Sequence, residues 1–259
     1  MRVSSKRALL SVAAVWLLVG SAAAGVRVET EQREPGSKVA LGRTVYFLDA
    51  NRLRLEAQSE EGEDIVIIFR ADRSLAWLID QREGTYVELT PEKIAKLREQ
   101  IEAQRQQMEK ELAKLPPEQR QAIEQMMGGP AGAGAVSYRA AGRDEKVDSF
   151  VCTRYEVLQQ DERTAEIWAA PLEQLHIQPE EFKTLTDLGR LLEPLGEQGP
   201  VGQIKQMSSM EGFPVRSVSY AAGQAIAEQR VVKAERKTFE PGLFELPRGL
   251  RKTDPNAQP

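Results

Sequence analysis

His176 and Cys152 are the only histidine and the only cysteine in a chain of 259 residues. They bound the chemistry available to it. A Ser-His-acid triad would need His176, in Leu175-His176-Ile177, to meet a nucleophile held on a sharp turn, and no Gly-x-Ser-x-Gly is present. The reading that fits better is a surface or partly buried imidazole ahead of a helix. A zinc site would have to lean on carboxylates, and no ligand spacing supports one. Asp64, Asp72, Asp80 and Glu88 flank turns, where solvated acids belong, and their spacing does not mark a catalytic pair. The glycines at 128 to 134 lack a following Lys-Ser/Thr, so they do not form a phosphate-cradling loop. Cys152 lies in the strand-like run Phe150-Val151-Cys152-Thr153-Arg154-Tyr155 and forms no internal disulfide. It reads as a buried small apolar residue, with a reactive or intermolecular thiol as the alternative. The sequence therefore predicts no catalytic residue, no metal site and no cofactor.

If not catalysis, then binding. Phe69, Trp77, Tyr86, Trp168 and Phe182 are the candidate lining of an apolar cavity, where aromatic faces would grip an acyl chain or an apolar peptide. Ordinary core is the competing reading for each. Met126-Met127, Met207 and Met210 could add adaptable lining, with the same competing reading.

The elements that must hold these residues fall into a clear order. Arg2, Lys6 and Arg7, an apolar run from Ala8 to Gly20, and Ser21-Ala22-Ala23-Ala24 predict a secretory signal over 1–24, cleaved before Gly25. Its loss takes three of the 35 basic residues and leaves 32 against 39 acidic ones. An acidic balance without a basic stripe excludes nucleic acid as the expected partner. The expected location is the periplasm, with no membrane span after cleavage.

Period-2 alternation then predicts strands near Val26–Thr30, Thr44–Leu48, Arg52–Ala57, Ile65–Phe69, Leu75–Ile79 and Thr85–Leu89, joined by turns short enough to force antiparallel neighbours. Thr90-Pro91-Glu92 starts a helix whose stripe is Ile94, Leu97, Ile101, Met108, Leu112 and Leu115. This helix packs on the protein's own sheet or docks an envelope partner. Pro117 opens a second helix, and a glycine loop closes an insert over 90–135. Strands return at Val147–Leu158, Thr164–Ala170, Ile204–Met210, Pro214–Ala221 and Ala225–Thr238, with a helix over Pro179–Leu195 and a short edge at Phe244–Pro247. One domain over 25–250 is expected, followed by a disordered polar tail over 251–259. The fold class is α+β: a curved antiparallel sheet, or half-barrel, covered by amphipathic helices.

Phe69-Arg70-Ala71-Asp72 with Leu75–Asp80, Gly84–Leu89, Leu115–Arg120, Cys152–Tyr155, Ile167–Ala170, Gly212–Arg216, Phe239–Gly242 and Phe244–Pro247 thread the chain in order. Together they resemble a family of exported bacterial proteins carrying a domain of unknown function, similar in shape to the outer-membrane lipoprotein carriers (LolA-like). The resemblance implies a half-closed antiparallel barrel covered by helices, with 91–135 as an elaboration, and carries over no binding residue position by position. It makes a lipid or lipoprotein acyl chain the first expected partner. An envelope protein held by the 91–127 helices is the second.

Overall fold

The computed structural model describes residues 23–59, 64–116, 119, 136–193, 204, 207 and 210–254. Residues 1–22 of the expected 1–24 signal, the second helix from Pro117 apart from Gln119, the glycine loop and residues 255–259 lie outside them. Twelve strands form one sheet: β1 (Ala23–Arg33), β2 (Ala40–Leu48), β3 (Arg52–Ser59), β4 (Asp64–Arg70), β5 (Leu75–Asp80), β6 (Thr85–Leu89), β7 (Val136–Val147), β8 (Phe150–Gln159), β9 (Glu162–Ala170), β10 (Phe213–Ala221), β11 (Gln224–Phe239) and β12 (Arg251–Lys252). Their order is β12-β6-β5-β4-β3-β2-β1-β11-β10-β9-β8-β7. Two antiparallel meanders therefore meet where β1 pairs with β11. Two helices lie wholly within the described residues, α1 (Pro91–Ala113) and α2 (Pro179–Leu192).

The sheet is bent. Side chains stand roughly perpendicular to a sheet, and two strands separate β8 from β11, which in a flat sheet keeps their backbones about 14 Å apart. Asp148, at the β7–β8 turn, nevertheless pairs with Arg230 of β11 at 3.3 Å. One apolar cluster likewise joins Val26 and Leu55 of the first meander to Cys152 and Trp168 of the second. Two glycines permit close approaches between neighbouring chain segments. A Cβ on Gly25 would sit 2.2 Å from the Leu48 carbonyl oxygen, and one on Gly212, at φ +100°, 2.3 Å from that of Ala170.

The inner face is covered by α2. Pro179 occupies its first turn, and the Glu181 carboxylate accepts from the Gln178 N–H at 2.8 Å. Leu185, Leu188 and Leu192 are buried against the sheet, and the Thr184 hydroxyl donates to the Ala50 carbonyl at 2.7 Å. Arg236 of β11 donates to both oxygens of the buried Glu181, at 3.0 and 3.1 Å. This ties helix to sheet by a charge-assisted pair.

The outer face of β3–β6 is covered by the C-terminal segment. Phe239, Phe244, Leu243, Leu246 and Leu250 pack on Val66, Ile68, Trp77 and Ile79. Arg52 lies 4.8 Å over the Phe244 ring, and Arg54 donates to the Leu243 carbonyl.

Four expectations need correction. Phe244–Pro247 is not an edge strand: Pro241–Phe244 is a 3-10 turn that places Phe244 in the outer core. Residues 251 and 252 are not a disordered tail, because Arg251 and Lys252 pair parallel to Thr85 and Tyr86, with the Arg251 N–H donating to the Gly84 carbonyl. The sheet is thus antiparallel except at this edge. Ile204 and Met207, expected on a strand, are helical and buried in the inner core. The strand expected from Val147 begins at Phe150, and Val147 instead closes β7, which no expected strand covers.

Candidate functional site

The five aromatic candidates do not share one cavity. Phe69 faces Ala76 in the β4–β5 register, so Trp77, next in the chain, points to the opposite face. Phe69, Trp168 and Phe182 belong to the inner core; Trp77 and Tyr86 belong to the outer one beneath the C-terminal segment. The space between α2 and the sheet is filled: Leu53, Leu185, Leu188, Ile204 and Phe213 have no exposure at all. Met210 sits in a third, small cluster with Val157 and Ile167.

Trp168 anchors an arrangement that sequence reasoning missed. Its indole N–H donates to Glu145 at 2.8 Å, and the Arg216 guanidinium stacks 4.5 Å over its ring. Arg154 joins Glu145 and Glu166, both at 3.0 Å, and Arg163 also donates to Glu166. The Tyr220 hydroxyl donates to Glu166, with Arg163 4.4 Å over the Tyr220 ring. Glu228 accepts from Arg216 and Arg230, both at 2.7 Å. Arg154 and Glu156, Glu166 and Trp168, and Glu228 and Arg230 are each two residues apart on a strand, so each pair shares a face. That alternation of arginine and glutamate was the available signal.

Ion pairs and burial set the titration of the groups in this lattice. The Trp168 and Arg154 donors hold the Glu145 carboxyl below its ordinary value. Burial acts to raise Glu228, but the guanidiniums of Arg230 and Arg216 outweigh it and hold that carboxyl down. Burial, with help from Glu166, raises the Tyr220 phenol. Burial, with help from Glu145, pushes the Cys152 thiol up to about 11, so it stays protonated near neutral pH. His176 is exposed, at the left-handed end of a 3-10 turn, and its backbone carbonyl accepts from Arg236. Among the described residues no three of His, Cys, Asp and Glu cluster so as to hold a metal ion. No helix of the described residues is long and apolar enough to cross a membrane.

Open space lies outside the core. A groove of about 540 Å³ runs between α1 and α2, with Pro91, Ile94, Ala95 and Leu191 along it and Arg98, Glu99, Glu102 and Arg190 at its rim. It forms because α1 is set by its first turns only. The Thr90 hydroxyl caps it, accepting from the Lys93 N–H, Ile94 is buried, and Leu97 is half-buried against the core. Farther along the same stripe Ile101 and Met108 are exposed, at 45% and 47%. A second space, of about 630 Å³, lies between β11 and the β7–β8 turn.

Residues 133–250 match the model of a family described as a domain of unknown function (DUF4412). The match covers less than half of the chain and takes in the whole arginine–glutamate lattice. No curated protein matches. Among solved structures, the chain is similar to the Pseudomonas aeruginosa MucA/MucB complex, with 9% identity and a TM-score of 0.37 over 86% of this chain and 56% of that one. It is also similar to MucB in complex with MucA(peri), with 7% identity and a TM-score of 0.38 over 89% and 57%. The chain spans a little over half the length of each.

Proposed function

We propose that this chain is a non-enzymatic binding protein of the bacterial cell envelope, whose partner is a protein that lays an amphipathic helix along α1 and the α1–α2 groove. The observation that carries this reading is the apolar stripe of α1, which starts inside the core at Ile94 and leaves it exposed at Ile101 and Met108. A groove with an apolar floor and both signs of charge at its rim suits the mixed-charge flanks of a partner helix. Export, and with it the envelope location, rests on the basic, apolar and small-residue pattern of residues 1–24.

An acyl chain is the second reading. The filled interior moves it from the sheet–helix interface, where the sequence placed it, to the apolar floor at Pro91, Ile94, Ala95 and Leu191. A photoreactive benzoylphenylalanine at Ile101 or Met108, with Ile226 on the exposed part of β11 as control, separates the two. Ile101 and Met108 are expected to cross-link one common protein that Ile226 does not reach. A lipid adduct at the same two positions would favour the acyl chain, and no adduct at either would overturn both readings.

A further inference from the structure

We propose that the helix laid along α1 is α1 of a second copy of this chain, antiparallel to the first, so that the protein pairs with itself about a two-fold axis. The inference rests on the reading above and names its partner. It begins with spacing. The apolar stripe of α1 runs Leu97, Ile101, Met108, Leu112, at intervals of four, seven and four residues. Ile94 before it and Leu115 after it each add an interval of three. The intervals are the same read from either end, with the midpoint between positions 104 and 105. At 3.6 residues per turn, Leu97, Ile101, Met108 and Leu112 fall within about 60° of one another around the helix. Two such helices, antiparallel and centred on each other, set Leu97 against Leu112 and Ile101 against Met108, each contact made twice.

The charges follow the same symmetry. One flank of the stripe reads Arg98, Glu102, Arg105, Glu109 in the sequence. A two-fold axis across an antiparallel pair turns like flanks towards each other. Position 98 then comes against 109, and 102 against 105, opposite in sign each time. The other flank, Gln100, Gln104, Gln107 and Glu111, sets Gln100 against Glu111 and opposes no like charges. A parallel pair would turn the charged flank towards the glutamines and lose these matches. Arg98 has no ion pair within its own chain among the described residues. The Glu111–Lys114 pair is exposed on both sides, a kind that contributes little and exchanges readily.

The fold leaves this surface within reach. Every described side chain from Arg98 to Glu111 is exposed, so among the described residues nothing covers that stretch. Each α1 is rooted in its own core at Ile94, which places the bodies of the two copies at opposite ends of the pair. The overlap carries the last turn of the second helix, with its Leu112, towards the α1–α2 groove of the first. There Ile94, Ala95 and Leu191 supply an apolar floor. Stripe and groove thus receive one occupant.

Sedimentation velocity of the full chain over a range of concentrations should show a monomer–dimer equilibrium. Arg98→Glu and Glu109→Arg, both on exposed helix surface, should each weaken the dimer about tenfold or more. An equimolar mixture of the two variants should restore it, because opposite charges then meet at both contacts. Register is read by cysteine cross-linking, in which the buried Cys152 takes no part. Ile101→Cys/Met108→Cys should form a disulfide-linked dimer under mild oxidation, and Ile101→Cys alone should not. The two copies of residue 101 stand about 10 Å apart along the antiparallel pair, beyond the reach of a disulfide. A chain monomeric at every concentration, a mixture no tighter than either variant alone, no disulfide in the double variant, or one in Ile101→Cys alone would overturn the proposal. A monomer whose benzoylphenylalanine at Ile101 joins a different protein would overturn it while leaving the reading above in place. A monomer with no adduct would remove both.

Discussion

The Tyr46 hydroxyl is wholly buried against Phe213 and has no hydrogen-bond partner among the described residues, and burial raises its pKa far above the usual phenol value. An unpartnered buried hydroxyl costs about 1–3 kcal/mol. Tyr46→Phe should accordingly raise the melting temperature, and a lower one would show that the hydroxyl has a stabilising partner. Glu145 and Glu228 argue in the opposite sense. Both carboxyls are held below their unfolded-chain value of 4.5. Their contribution is complete above that pH and is lost as pH falls through their folded values. Urea unfolding at a series of pH values should show a steep acid limb, flatter in Glu228→Gln, which should also cost about 1–3 kcal/mol at neutral pH. An unchanged acid limb would remove Glu228 from the lattice's energetics. Cys152 should resist a thiol reagent at pH 8 in the native protein and react at once in denaturant.

Among the elements, α1 is buried at its first turns and exposed farther along. Ile94→Ala should cost about 2–4 kcal/mol, as a deletion from a packed core does. Met108→Ala should leave thermal stability nearly unchanged. The sequence shows the stripe through both positions but not where it leaves the fold, because the departure depends on where α2 ends. Strands β1 to β6 and β8 to β11 are legible for a plain reason: two-residue alternation and short turns are local; β7, broken by two register shifts, is not. Register is not local. Phe69 and Trp77 both read as apolar strand residues, and only the Phe69–Ala76 pairing puts them on opposite faces. The helical Ile204 and Met207 are equally opaque, since short apolar runs fit strand or helix until a neighbour decides.

At the scale of the whole molecule, one bent sheet is held from both sides, by α2 inside and the 239–254 segment outside. Phe244→Ala should cost about 3–5 kcal/mol, because that ring fills the outer core from a chain segment with little other anchorage. A small loss would mean that β12 and the Arg70–Glu245 pair suffice. With the interior filled, the proposed binding belongs to the open groove at α1. The most direct test is the double variant Ile101→Glu/Met108→Glu, compared with wild type by affinity capture from envelope extract and by thermal melting. The account predicts a captured protein that the variant loses, with an unchanged melting temperature. Undiminished capture by a folded variant would contradict it.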